Sequence, residues 1–389
     1  MRVLFTTWAW PSHLYALVPL AWAMRSAGHE VLVTSQPELT GEMRRTGLPF
    51  RAAGRDVDAA ELVRGYVLPS SDGPDLGERA PAGATPNGRG PRALQMFHAH
   101  ADAMTDDLVD LAREWRPDLI VYEPTTLAGP LAAAAVGVPA VRVLFGTDLM
   151  VRAAPMLPQV LAPVARRHGI ADFDPLGAVT VDPCPPGFQV PDDHPRRTVR
   201  YVPYNGAGAA HAAPAAPAGT RRVVVTWGHT MAKLHPGLFL AGRAAAAVHD
   251  ADTEVVLAVS AAQLPLLDGL PAGVRVVTDT PLHQLVPGAD LVVAHGGAGT
   301  VLTALDAGVP LLLVPQLPDH SRHTGRVVAT GAGESLKRDE ASPHRLRELA
   351  HTLLAPGAPQ RAAARRLREL IHAQPTPSDI VRDLEKVPV

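Results

Sequence analysis

Cysteine, aromatic side chains, net charge and long apolar runs are all scarce in this chain, and each scarcity excludes something. One residue of 389 is a cysteine, Cys184, so no disulfide can form within the chain, and a reducing compartment such as the cytoplasm suits it. The formal net charge is −2, which gives no electrostatic reason to expect a nucleic-acid partner. No uninterrupted apolar run approaches the ~20 residues that a membrane span needs. Pro11, Ser12, His13 and Pro19 interrupt the apolar N-terminus, so no export signal is expected there. The first loop, Thr7-Trp8-Ala9-Trp10-Pro11-Ser12-His13, is not G-x-G-x-x-G, which counts against NAD or FAD in that half. No histidine spacing demands a metal, and His98 and His100 read as exposed positions on a helix. The D-x-D string Asp172-Phe173-Asp174 follows no buried strand and reads as a turn, not a cation site.

Apolar residues are not scarce: they make up 47% of the chain, enough for one large core or two. Short β-rich runs alternate with helical stretches. Arg2 to Thr7 reads as a strand, Trp8 to Leu14 as a loop, Tyr15 to Ala27 as a helix and Glu30 to Ser35 as a second strand. Further helices are expected over 93–115, 127–136, 148–170, 236–249 and 343–372. Residues 54–92, rich in Gly, Pro, Asp and Ser, read as a mobile loop beside the substrate. The Ala/Pro/Gly run from Gly206 to Thr220 reads as a linker.

After that run the pattern restarts, with Arg221 to Thr226 as a strand and Trp227-Gly228-His229-Thr230 as a loop. A second echo is stronger: Pro117-Asp118-Leu119-Ile120-Val121 leading to Gly137-Val138-Pro139 matches Ala289-Asp290-Leu291-Val292-Val293 leading to Gly308-Val309-Pro310. Alternating helices and apolar strands imply an α/β chain with parallel sheets. Two such halves imply two Rossmann-like domains facing each other across a cleft. The expected divisions are 1–205, a linker over 206–220, 221–374, and a tail over 375–389 whose helix crosses back to the first domain.

The second copy of the echo carries His295-Gly296-Gly297-Ala298-Gly299-Thr300 between its strand and its helix. Three glycines let the backbone come close to a ligand, and a helix N-terminus offers unpaired N–H groups and a positive dipole end. That combination holds phosphates.

With Ser12-His13-Leu14, Leu17-Val18-Pro19-Leu20, Ala27-Gly28-His29-Glu30-Val31, Trp115-Arg116-Pro117-Asp118-Leu119, Glu123-Pro124 and the loop His295 to Thr300, nearly the whole chain resembles one family. It is similar to the nucleotide-sugar-dependent glycosyltransferases of the two-Rossmann (GT-B) fold, nearest to those of actinomycete antibiotic pathways that attach deoxysugars to polyketide-type aglycones. The resemblance implies an inverting, metal-independent transfer from a TDP-sugar, with His13 as general base and Glu123 as its partner. It implies a donor site at Thr226, Trp227, Gly228, Thr280, Leu282, His295, Gly296, Gly297, Gly299, Thr300, Asp319 and His320. Trp8, Trp10, Ser12 and Phe145 are the expected acceptor contacts. Relatives place an aromatic ring where this chain has Asp279, and often Asp-Gln where it has Asp319-His320. No cofactor is implied beyond the sugar nucleotide. The expected partners are a hydrophobic aglycone, with a homodimer and a cytochrome P450-like activator protein left open. C-glycosyl transfer, nucleotide-sugar epimerisation and a non-catalytic activator role are the competing readings on the same fold.

Overall fold

The computed structural model describes residues 1–62, 92–209 and 219–387. Residues 63–91 of the expected loop and 210–218 of the expected linker lie outside that description.

Two all-parallel sheets organise the chain. The first contains β1 (Arg2–Thr6), β2 (Glu30–Ser35), β3 (Phe50–Ala52), β4 (Leu119–Tyr122), β5 (Ala140–Val143), β6 (Val179–Asp182) and β7 (Arg197–Thr198), in the order β3-β2-β1-β4-β5-β6-β7. The second contains β8 (Arg221–Thr226), β9 (Thr253–Val259), β10 (Val274–Thr278), β11 (Leu291–Ala294), β12 (Leu311–Leu313) and β13 (Gly333–Ser335), in the order β10-β9-β8-β11-β12-β13. Both follow the doubly wound rule: two strands lie to one side of the first strand, β1 or β8, and the rest lie to the other. Central strands are apolar throughout because helices cover both faces: Leu-Ile-Val-Tyr in β4 and Leu-Val-Val-Ala in β11 are buried at every position. The order reverses between β1 and β4 and between β8 and β11, so each half opens a crevice at the carboxyl ends of those strands.

The register brings the site loops level. Thr6 pairs with Tyr122, one residue before Glu123, and Thr226 pairs with Ala294, one residue before His295. The repeated Gly-Val-Pro units end equivalent helices, Ala128–Val136 and Ala298–Asp306, at Gly137 and Gly308, whose φ values are 73° and 71°.

Several helix boundaries differ from expectation, and proline explains most of them. The first helix runs Pro11–Ser26, so His13 lies in its first turn and not in a preceding loop. Proline at the start loses no helix hydrogen bond and has its φ already set. The stretch expected as helix over 148–170 is broken near Pro155 into Met150–Ala153, Ala154–Met156 and Leu157–Arg167. Pro236 and Gly237 turn the start of 236–249 into a short 3₁₀ turn before the helix Ala241–Val248. Pro356 and Gly357 split 343–372 into Pro343–Leu354 and Pro359–His372. His100, expected to be exposed, is buried, because the helix Arg92–Trp115 turns it inward with Met104 and Leu108 at four-residue spacing. His98 is half-buried.

The halves also interlock. Ile380, Val381 and Leu384 of the last helix, Pro377–Leu384, join the core around β1 and β2. Phe188, which follows β6, packs into the core of the second half beside Val327 and Leu367. No helix among the described residues is long and apolar enough to cross a membrane.

Candidate active site

The carboxyl ends of both sheets face one cavity of about 920 Å³, within the size range of small-molecule sites. On the first half's side, Glu123 follows β4 and is completely buried. Its carboxylate accepts from His13 Nδ1 at 3.0 Å, from the Thr125 amide at 3.0 Å and from the Thr125 hydroxyl at 2.8 Å, and also from the Thr126 hydroxyl. Burial alone would raise this carboxyl. The charge and hydrogen bond of His13, with the bonds from Thr126 and the Thr125 amide, outweigh burial and hold it below the ordinary carboxylate value. His13 lines the cavity, and Phe145 packs against its ring at 4.4 Å between centroids. When Nδ1 donates to Glu123, the nitrogen left with a lone pair is Nε2. An imidazole so held can take a proton at that atom.

On the opposite side, β11 leads through His295-Gly296-Gly297 into the helix Ala298–Asp306. The first intrahelical bond is from Val301 N to Gly297 O at 3.0 Å, so the amides of Ala298, Gly299 and Thr300 precede the ladder. No side chain caps this end, and no acidic residue stands in its first turn. An uncapped N-terminus lining a cavity has the free amides and the positive dipole end that suit an anion.

Three glycines are required by the space they leave. A Cβ on Gly297 would stand 2.6 Å from His295 Nε2, and one on Gly228 would stand 2.8 Å from His295 Cε1. At Gly296 φ is +92°, and a Cβ would meet the Thr324 hydroxyl at 2.7 Å. Burial pushes His295 well below the ordinary histidine value, and the nearby His320, His229 and His323 push it the same way. Both causes favour the neutral imidazole over the cation.

Most of the expected residues meet here. Thr226, Gly228, Thr280, Leu282, His295, Gly297, Gly299, Thr300, Asp319 and His320 line the cavity from the second half. Trp8, Trp10, Ser12, His13 and Phe145 line it from the first. Glu123 stands behind His13. Two residues stand elsewhere. Trp227 is buried in the core behind the loop, its Nε1 donating to Gln316 Oε1 at 3.2 Å. Gly296 turns the chain at the back of the phosphate-type loop, against the helix Pro318–Ala329. Asp279 holds a positive φ of 48° at the cavity edge, where its carboxylate accepts from the Ala261 amide at 3.2 Å. Asp174 of the D-x-D string accepts from the Leu176 amide at 2.8 Å, in a turn outside the cavity lining. Among the described residues there is no cluster of three or more metal-ligating side chains.

Sequence reasoning missed the supports. His323 Nδ1 lies 3.1 Å from the Gly296 carbonyl and props the loop; its spacing of three from His320 was a usable helical signal. Gln263 donates to the Gly228 carbonyl at 2.6 Å. Gly146 brings the first half against the second: a Cβ there would stand 2.5 Å from His323 Nε2 and 2.9 Å from the Ala298 Cβ. No local pattern marks that glycine, because its neighbours come from the other half of the chain.

Two facing doubly wound sheets, with a histidine–carboxylate pair across a cleft from an open helix N-terminus, define a GT-B glycosyltransferase. Comparison with known proteins gives the family. Residues 22–228 match the model of the erythromycin biosynthesis protein CIII-like N-terminal domain, and residues 243–387 match that of its C-terminal domain. The chain is 34% identical over 418 residues to the 3-alpha-mycarosylerythronolide B desosaminyl transferase of Saccharopolyspora erythraea, covering 100% of this chain and 98% of that one. It is 37% identical over 430 residues to the aklavinone 7-beta-L-rhodosaminyltransferase of Streptomyces galilaeus, covering 100% and 96%. The crystal structure of the glycosyltransferase VinC in complex with dTDP matches with a TM-score of 0.81 at 32% identity, covering 99% of both chains. The chain belongs to the erythromycin biosynthesis protein CIII-like glycosyltransferases, enzymes of antibiotic biosynthesis.

Proposed function

We propose that this enzyme moves a deoxysugar from a TDP-sugar to a polyketide-type aglycone, with inversion and without a metal ion. The observation that carries the reading is the opposition across one cavity of the His13–Glu123 pair, 3.0 Å apart, and the uncapped start of the helix Ala298–Asp306. The aglycone lies in the first half, against Trp8, Trp10, Ser12 and Phe145. Its hydroxyl gives a proton to His13 Nε2 as the oxygen attacks the anomeric carbon from the face opposite the diphosphate. The bond from the anomeric carbon to the diphosphate oxygen breaks in the same step, and Glu123 stabilises the imidazolium that forms. The amides of Ala298, Gly299 and Thr300 and the helix dipole receive the charge on the departing TDP. Asp319 and His320 hold the sugar, while Thr280 and Leu282 contact the base. TDP-bound and aglycone-modifying relatives support the substrate classes. The single buried Cys184 suits a reducing interior, and the reading puts the reaction in the cytoplasm.

The direct test is His13→Ala, assayed with a TDP-sugar and aglycone panel. Transfer should vanish while TDP still raises the melting temperature of the variant. Turnover at the wild-type rate would remove His13 as the base. Chelator should leave the rate unchanged. NMR of the product, read for anomeric configuration and for a C–O or C–C linkage, separates inverting O-transfer from its competitors. Assaying the purified chain alone tests the need for an activator protein.

A further inference from the structure

His13 Nδ1 has more partners than one nitrogen can serve. Glu123 Oε2 lies 3.0 Å away, the Thr125 hydroxyl, whose proton goes to Glu123, lies 3.2 Å away, and the Trp8 indole Nε1, a donor only, points at the same atom from 2.8 Å. When Nδ1 carries a proton, it bonds Glu123 and has no lone pair for the indole. When Nδ1 carries a lone pair, it accepts from Trp8 and offers Glu123 nothing. The two arrangements are the two neutral tautomers of the ring. In the first, Nε2 is open to a proton; in the second, Nε2 already holds one.

The indole is held in this position. The Trp8 amide donates to the Thr126 hydroxyl at 2.8 Å, and the Ala9 amide donates to Gln36 Oε1 at 3.0 Å. His100 packs on the indole at 4.2 Å, and Trp10 stacks on it at 5.2 Å with 17° between planes. Trp10 in turn reaches across the cleft. Its Nε1 donates to the Thr230 hydroxyl at 3.2 Å, and the Lys233 ammonium sits over its ring at 5.3 Å. Thr230 and Lys233 belong to the helix Thr230–Leu234, which follows the loop at Gly228.

We infer that Trp8 is a positioning residue that competes with Glu123 for His13 and so sets which tautomer the ring adopts, and that the Trp8–Trp10 stack ties this setting to the second half of the molecule. The inference rests on His13 being the base. It adds an opposing partner: Glu123 arms the imidazole, and Trp8 disarms it until the indole withdraws. A shift of the helix Thr230–Leu234 against the first half would carry Trp10 and, through the stack, the indole.

The test reads the tautomer itself, apart from turnover. Two-bond proton–nitrogen spectra of the ¹⁵N-labelled full chain give the His13 Nδ1 and Nε2 signals, assigned by their loss in His13→Ala. In Trp8→Phe, which keeps a ring and the backbone bonds, Nδ1 should move toward the protonated range and Nε2 toward the unprotonated. Unchanged signals overturn the proposal. Glu123→Gln should move both signals the other way, and retention of the Nδ1–H form there also overturns it. Thr230→Val should shift the signals in the Trp8→Phe direction by a smaller amount; no shift would cut the link across the cleft. In kinetics, the titratable groups facing His13 are Glu123, after β4, and His100, on the helix Arg92–Trp115. With both unaltered in Trp8→Phe, the acid limb of the kcat profile should move to higher pH. A change in acceptor KM alone, with the limb fixed, would mean that Trp8 only packs. A failure of His13→Ala to stop transfer would remove the base reading while leaving the tautomer result standing, so the two failures are distinguishable.

Discussion

The two copies of the strand–loop–helix–Gly-Val-Pro unit share a scaffold and present opposite chemistry. Each strand, β4 or β11, lies beside the first strand of its sheet at the switch point. After β11 the chain spends His295-Gly296-Gly297 and enters its helix at once, leaving the first amides open to the cavity. After β4 the chain spends its own donors. The Thr126 amide bonds the Glu123 carbonyl at 3.0 Å, the Gly129 amide bonds the Thr126 carbonyl at 3.0 Å, and the Thr125 amide goes to the Glu123 carboxylate. That helix start is packed away too, with a Gly129 Cβ position only 2.6 Å from the Tyr122 Cβ. One copy therefore offers donors to an anion and the other offers a buried anion to a histidine. The scaffold fixes where a loop points; a few loop residues decide the sign of what it presents.

Four changes would break or sharpen this contrast. The largest effect is expected at the acidic copy. Glu123→Gln keeps the shape but removes the charge that orients and stabilises His13, so kcat should fall by roughly 10²–10⁴. TDP-induced thermal stabilisation should be unaltered, and an equal loss of both would mean that Glu123 is structural. Next is the donor copy. Gly297→Val drives a side chain into the His295 ring and should weaken TDP affinity by roughly tenfold or more, on the scale of one lost charge-assisted hydrogen bond. Calorimetry with TDP measures it, and unchanged affinity would separate the loop from the diphosphate.

A smaller effect is expected where the copies meet. Gly146→Ala places a methyl group against His323 and Ala298, which should hold the halves slightly apart. We expect a fall of about tenfold in kcat/KM, since misplacement near 1 Å can cost 10²-fold, with little change in TDP affinity. His323→Ala in the same chain should restore part of the rate.

The last effect is on stability. His295, His320 and His323 in the second half are all held below the ordinary histidine value, by burial first. In the first half His100 is lowered to about 4, again by burial. For such groups the unfolded chain takes up protons first, so their stability contribution is full above the unfolded value and is lost as pH falls below about 6.5. Each contributes at most about 1.4 kcal/mol per pH unit in that range. Hydrogen exchange at pH 5.5 against 7.5 should show the His295 and His320 segments of the second half losing protection before β4 and its loop. Equal loss in both halves would mean that His100 weighs as much in the acid response as the three histidines of the second half.

Much of this was legible in the sequence because it is local. Strand and helix alternation, the repeated Gly-Val-Pro unit and the loop His295 to Thr300 each fit within a few dozen residues. The site list of the first half was legible from the resemblance, and His13, Glu123 and the two tryptophans meet as adjacent strand ends in a parallel sheet must. What was not legible depends on distant chain. The role of Gly146 is written in His323 and Ala298, and the role of Thr230 is written in Trp10. His100 reads as a solvent residue until the helix Arg92–Trp115 is rotated against β1 and β4. Trp227 failed in the other direction: a strand-end tryptophan beside a donor loop looks like a ligand contact, yet its bulk fills the core under that loop. Local pattern locates a loop but not which way its large residue turns.

Phe188 is a rivet between the two halves. It is rooted in the core of the opposite half, with the Arg326 guanidinium on its carbonyl at 3.1 Å. Nearby, Gln374 holds the Cys184 carbonyl at 2.9 Å, and the returning chain is fastened where the Arg200 amide meets the Pro375 carbonyl at 2.7 Å. These attachments form a spine along one margin, whereas the contacts at Trp10 and Lys233 are light. The two halves are thus stitched together at Phe188, Cys184 and Arg200, whereas at the indoles the Trp10–Thr230 bond and the Lys233 ammonium bridge them.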